Sequence, residues 1–127
     1  MLGHDAVAQA LVDHGVDTVF AVLGDGNLFI GESLERQHGV NLVGATHEAN
    51  AVCMAEGWAK ATGRLGVASV THGPGLTNTI TALVEGVKNG TPMVLVAGDT
   101  PIENEQHLQN LDQHALVVAT GAGLQPI

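Results

Sequence analysis

Val67-Ala68-Ser69-Val70-Thr71-His72-Gly73-Pro74-Gly75-Leu76-Thr77-Asn78 passes from a short apolar run, through a Gly-Pro-Gly turn, into residues with helical spacing. An apolar run of this kind, closed by glycine and proline, reads as a strand buried on both faces. The strand is expected over Leu65 to Thr71 and the helix over Leu76 to Asn89, with Gly86 its one weak point. The same succession recurs on either side. Thr18 to Leu23 is a strand, Gly24-Asp25-Gly26-Asn27 a loop, and Leu28 to Gln37 a helix. Val40 to Ala45 is a strand leading into a helix over His47 to Thr62, with Thr46 as its N-cap and Gly63 as its stop. Pro92 to Ala97 is a fourth strand, turned by Gly98-Asp99-Thr100-Pro101. An opening helix spans Asp5 to Val16 and ends at Gly15, a C′ glycine. After the fourth strand the pattern fades: Glu103 to Asn110 is irregular, and Asp112 to Thr120 forms a short helix.

Strands and helices alternating over short connections imply right-handed crossovers and a sheet covered on both sides. The expected fold is therefore α/β, three-layered α/β/α, with a mostly parallel, flavodoxin-like sheet in one domain spanning residues 1–127. Ligands of such sheets sit at the carboxyl ends of the strands. That directs attention to Gly24 to Asn27, Thr46 to Glu48, and His72 to Gly75.

Composition narrows the classes of function. Hydrophobic residues make up 45% of the 127, but aromatics only 2%, so the core is built from Val, Ala, Leu and Ile. The net charge of -9, with only four scattered basic residues (Arg36, Lys60, Arg64 and Lys88), leaves no patch to bind a nucleic-acid backbone. Cys53 is the only cysteine, so no internal disulfide forms and a reducing cytoplasm is expected. Its neighbours, Ala51-Val52 and Met54-Ala55, suggest a thiol packed in a helix core. No apolar run approaches the roughly 18 to 20 residues that cross a bilayer, and no signal-peptide pattern opens the chain.

Three segments carry candidate chemistry. In Thr46-His47-Glu48-Ala49-Asn50, Glu48 reads either as a first-turn acid favoured by the helix dipole or as a carboxylate set where α/β sheets place ligands. The loop Gly73-Pro74-Gly75 offers backbone for a flat ligand to lie against, or is only a tight turn. Gly24-Asp25-Gly26 lacks the third glycine of a dinucleotide fingerprint and reads as a turn near the ligand. Of seven histidines, none is spaced as a metal pair; His72 alone, at the mouth of the third strand, is divided between ligand contact and structural hydrogen bonding.

Taken together over roughly Asp5 to Pro101, these segments resemble the N-terminal, pyrimidine-binding domain of the thiamine diphosphate (ThDP) enzymes of the acetolactate synthase, pyruvate oxidase and benzoylformate decarboxylase group. The resemblance is carried by Gly15-Val16-Asp17-Thr18-Val19-Phe20, His47-Glu48-Ala49-Asn50-Ala51, Met54 to Gly63, His72 to Asn78, and Thr91-Pro92-Met93-Val94 ahead of Gly98. It implies that Glu48 is the glutamate that hydrogen-bonds N1′ of the cofactor's aminopyrimidine and so promotes loss of the thiazolium C2 proton. It places Gly24, Asp25, Gly73, Pro74 and Gly75 around the cofactor, with Asn78 bracing the helix start. The metal-binding Gly-Asp-Gly of this group lies in another domain and is followed by paired asparagines. Here Asn50 and Ala51 stand at that spacing, so Gly24-Asp25-Gly26 is not that motif.

His72 stands where acetolactate synthases usually have serine, which makes it a substrate-side candidate, as is Gln113 in the segment Leu111-Asp112-Gln113. The resemblance further implies a 2-oxo acid substrate and Mg2+ held through a diphosphate-binding domain that this chain lacks. It also implies a homodimer or homotetramer and allows FAD in a full-length enzyme. The chain is then a fragment or subunit, inactive alone. The rival readings are a natural small subunit of a split decarboxylase, like that of sulfopyruvate decarboxylase, and a flavodoxin-like binding module without catalysis.

Overall fold

The computed structural model describes residues 1–127 and holds four parallel strands in the order β2-β1-β3-β4. They are β1 (Thr18–Ala21), β2 (Asn41–Gly44), β3 (Gly66–Val70) and β4 (Met93–Ala97). The helices are α1 (Gly3–Asp13), α2 (Leu28–Glu32), α3 (Glu48–Thr62), α4 (Pro74–Thr77), α5 (Ile80–Asn89) and α6 (Gln113–Thr120). The expected three-layer α/β/α architecture is present, with the sheet entirely parallel.

The central strands β1 and β3 are buried at every residue. Because strand side chains alternate faces, neighbours part: Val19 and Val67 join Ala8, Leu34 and Val40 in the core under α1, while Phe20 and Ala68 join Ala51, Val52 and Ala55 under α3. Small residues let the second layer close tightly. A side chain on Gly66 would run into the backbone carbonyl of Ala55, so strand and helix meet main chain to main chain.

Four local expectations are corrected. The N-cap of α3 is His47, not Thr46: its extended backbone (φ -151, ψ 145) lets Nδ1 accept the Ala49 N–H at 3.1 Å. The helix expected over Leu76 to Asn89 breaks at Asn78-Thr79 into α4 and α5. There the hydroxyls of Thr77 and Thr79 donate to the carbonyls of Pro74 and Leu76 at 3.0 and 2.7 Å, and such back-bonding competes with the helical ladder. The helix from Leu28 widens into a π-helical turn over Ser33–Gln37, where Ser33 and Gln37 both donate to Asp5 Oδ1 of α1. Those bonds, Ser33 first, hold the Asp5 carboxyl below its ordinary range. Cys53 is exposed, not packed. The buried face of α3 carries Ala51, Val52, Ala55, Glu56 and Ala59, and Cys53 points a further helical step around from Val52. No helix is long and apolar enough to cross a membrane.

One charged side chain is deep in the fold. Glu56 Oε1 accepts from Lys60 Nζ at 2.7 Å, Asn89 Nδ2 at 2.8 Å and Thr91 Oγ1 at 3.1 Å, tying α3 to the end of α5 and the entry to β4. Lys60 foremost, with the Asn89 and Thr91 bonds, lowers the Glu56 pKa against the opposing effect of burial. A lowered folded-state pKa means that the ionised carboxylate is the stabilised form. Its contribution is complete above the ordinary glutamate range and fades as pH falls through the lowered value. Glu56→Gln is therefore expected to cost about 1–3 kcal/mol at neutral pH. The gap from the parent chain should narrow below about pH 4, as read from urea midpoints at the two pH values.

Candidate functional site

The chain leaves β1 for β2 on one side of the sheet, while β3 and β4 build out on the other. A crevice at the carboxyl ends of β1 and β3 follows from that reversal. The loop after β1 is pegged by Asn27, which is 1% exposed: its Oδ1 accepts the Gly24 N–H at 2.9 Å, and its amide donates to Val22 O and to Ser69 Oγ of β3. Thr71, just past β3, accepts the Gly26 N–H at 3.0 Å. A Cβ on Gly24 would come within 2.8 Å of Thr71 Cβ, so the first loop lies flat on the third. Gly24 thus forms part of the wall, and Asp25 is exposed at the rim without an ion-pair partner.

Glu48 is the first residue of α3 and half-buried. Its Oε2 accepts from Asn78 Nδ2 at 2.9 Å, and it belongs to none of the ion pairs. Asn78 holds that place because α4 ends at it, which brings residues 30 apart in sequence together. The other oxygen, Oε1, faces Gly75, whose bare Cα leaves room beside it: a Cβ there would stand 3.9 Å from Oε1 and 2.7 Å from Thr71 Cγ2. Glu48, Asn78 and Gly75 are thus brought together. Pro74 is exposed at the start of α4.

Gly73 is held from both sides. Its φ of +60 favours glycine, and a side chain would strike the backbone carbonyl of Gln109. Its N–H donates to Gln113 Oε1 at 2.8 Å, and the same amide donates through Nε2 to Gly98 O at 2.9 Å. Gln113, expected on the substrate side, instead spends its amide on two backbone groups and clamps the third loop to the end of β4. Gln109 is the glutamine whose oxygen is both buried and uncommitted: its Oε1 has no hydrogen-bond partner. No sequence periodicity marks it, because residues 98–112 form turns and no helix or strand.

His72 is 5% exposed and lies beneath this 98–112 strap. Its Nδ1 is 3.4 Å from Thr71 Oγ1, its Nε2 has no hydrogen-bond partner, and its ring meets that of His107 edge-on, 5.3 Å between centroids. His107 falls in the irregular stretch Glu103 to Asn110, and folding sets it against His72 at the mouth of β3. No group of three or more His, Cys, Asp or Glu side chains converges as a metal site.

Residues 1–116 match the family described as thiamine pyrophosphate enzyme, N-terminal TPP binding domain. Among curated proteins, 2-hydroxyacyl-CoA lyase 2 of Danio rerio is 39% identical over 116 residues, covering 90% of this chain and 18% of that protein. Acetolactate synthase isozyme 3 large subunit of Escherichia coli is 41% identical over 96 residues (76% and 17%), and chloroplastic acetolactate synthase of Arabidopsis thaliana 35% over 99 residues (78% and 15%). The chain spans less than a fifth of the length of these relatives.

The clamp at Gln113 can be tested directly. Gln113→Leu leaves the Gly73 N–H and the Gly98 carbonyl without their partner, and an orphaned buried group costs about 1–3 kcal/mol. A loss of about 2 kcal/mol in urea unfolding is expected, with faster hydrogen exchange at the Gly73 amide.

Proposed function

Given that this chain belongs to the thiamine pyrophosphate enzyme family as its N-terminal TPP-binding domain, we propose that Glu48 serves the cofactor's aminopyrimidine in an acetolactate synthase-like carboligase or 2-oxo acid decarboxylase. The supporting observation is the state of its carboxylate. One oxygen is fixed by a neutral amide, the other opens toward the bare Gly75, and no cation competes for either. That donor set fits N1′ of an aminopyrimidine, which needs a partner able to hold a proton and a flat surface alongside. Bound there, ThDP would supply a nucleophilic carbon and an electron sink for the decarboxylation of a 2-oxo acid.

On this reading, Glu48 holds the proton at N1′, and Asn78 keeps its carboxylate in line. Gly73, Pro74 and Gly75 form the ring's backing, with Gly24 and Asp25 at the near rim. His72 and Gln109 lie deeper, where a polar substrate group arrives once the strap shifts. Gln113 supports the arrangement from behind. Mg2+ and the diphosphate belong to a second domain of the same enzyme, contributed within a homodimer or homotetramer. The apolar side chains left open at the strand ends, Leu23 and Leu28 beside the first loop and Ile102 and Leu108 on the strap, suit such a partner. FAD, where the enzyme carries it, lies outside this chain. The lone Cys53 suits a reducing cytoplasm, and the chain by itself is expected to be inactive.

Glu48→Gln in the assembled enzyme tests the reading and separates it from a non-catalytic binding module. Turnover should fall by about 10²- to 10⁴-fold with ThDP still bound in calorimetric titration. An unchanged rate defeats the catalytic role.

A further inference from the structure

The His72–His107 contact has a chemistry of its own. Thr71 Oγ1 already accepts the Gly26 N–H at 3.0 Å, so its hydroxyl hydrogen is free to go to His72 Nδ1, 3.4 Å away. With Nδ1 as the acceptor of that hydrogen, the ring proton of His72 sits on Nε2. That N–H is fully covered and finds no oxygen or nitrogen. What stands against the ring is His107, inclined at 67° with centroids 5.3 Å apart, the arrangement in which the edge of one ring meets the face of the other. His107 is itself fixed: its Nδ1 accepts the Gln109 N–H at 3.1 Å, which puts its own ring proton on Nε2 and leaves it neutral. A neutral imidazole face is an acceptor for an N–H.

We infer that His107 is a positioning residue for His72. Its ring face caps the His72 Nε2–H, locks the tautomer that carries the donor on Nε2, and keeps that donor covered until the strap moves. The subsite uncovered in this way presents an N–H, and so it selects an acceptor oxygen, the carboxylate or oxo group of a 2-oxo acid, over a donor group. The selection of substrate rests on the function proposed above; the cap itself does not. The strap is held together by bonds of its own, Thr100 Oγ1 to Asn110 Oδ1 and Asn110 Nδ2 to Glu105 O, which join the stretch that carries His107 and Gln109.

Ring-nitrogen NMR spectra of the 127-residue chain, which need neither cofactor nor turnover, read the cap directly. The His72 Nε2–H resonance should lie upfield, displaced by the His107 ring current, with Nδ1 unprotonated. His107→Phe keeps a π face and should retain the displacement and the tautomer. His107→Leu keeps bulk without a face; it should lose the displacement and exchange the proton with water at least tenfold faster. If the Leu and Phe chains both match the parent, His107 is no cap. Should the Leu chain fail to fold, the parent and Phe chains decide: a His72 Nε2–H resonance without upfield displacement, or a ring proton found on Nδ1, overturns the assignment. Matching Leu and Phe spectra beside a crippled Glu48→Gln enzyme defeat the cap alone. The reverse pair of results defeats the cofactor reading alone.

Discussion

Val19 and Phe20 are adjacent on β1, face opposite ways, and are both buried. A parallel sheet allows no other outcome, since its crossovers lay helices on both faces. Everything polar that the chain must do is consequently displaced to the strand ends, where backbone groups run out of ladder partners and have to be met by side chains. Asn27 does this for the first loop, Thr71 for the joint between first and third, and Gln113 for the third loop and the end of β4. The site is the by-product of that accounting. Once these three side chains have tied the loops down, the glycines between them are left as a smooth wall beside a single carboxylate.

How much of this could be read beforehand depends on the range of the interaction. The buried runs at Thr18 to Ala21 and Gly66 to Val70, and the alanine-rich helix after Glu48, are local patterns with strong periodicity, and they appear where the spacing puts them. The position of Glu48 at the mouth of the sheet follows from its place directly after β2. What escaped is non-local or subtle. The apolar neighbours of Cys53 do not decide its face; the helical angle does, and it turns the thiol outward. The break at Asn78-Thr79 depends on two threonine hydroxyls turning back on the chain, and it delivers Asn78 to Glu48. Gln109 lies in the irregular segment and Gln113, four residues on, opens α6, and only the fold shows that Gln113 is committed to backbone and Gln109 is not. His72 and His107 are likewise joined only by the strap's return over β3.

The two buried-side glutamates of α3 put the candidate site in relief. Glu56 is surrounded by three donors, one of them a lysine ammonium, and its carboxylate is pinned as an anion that fastens α3 to α5. Glu48, eight residues earlier on the same helix, has one neutral amide and a vacant oxygen. A carboxylate whose lone pairs are committed to a cation has little left to offer an incoming base. One braced by an amide keeps its geometry while remaining free to share a proton. The same residue type on the same helix is therefore pinned by three donors in mid-helix and left with an open oxygen at the first residue, and the difference lies in what the fold brings alongside each.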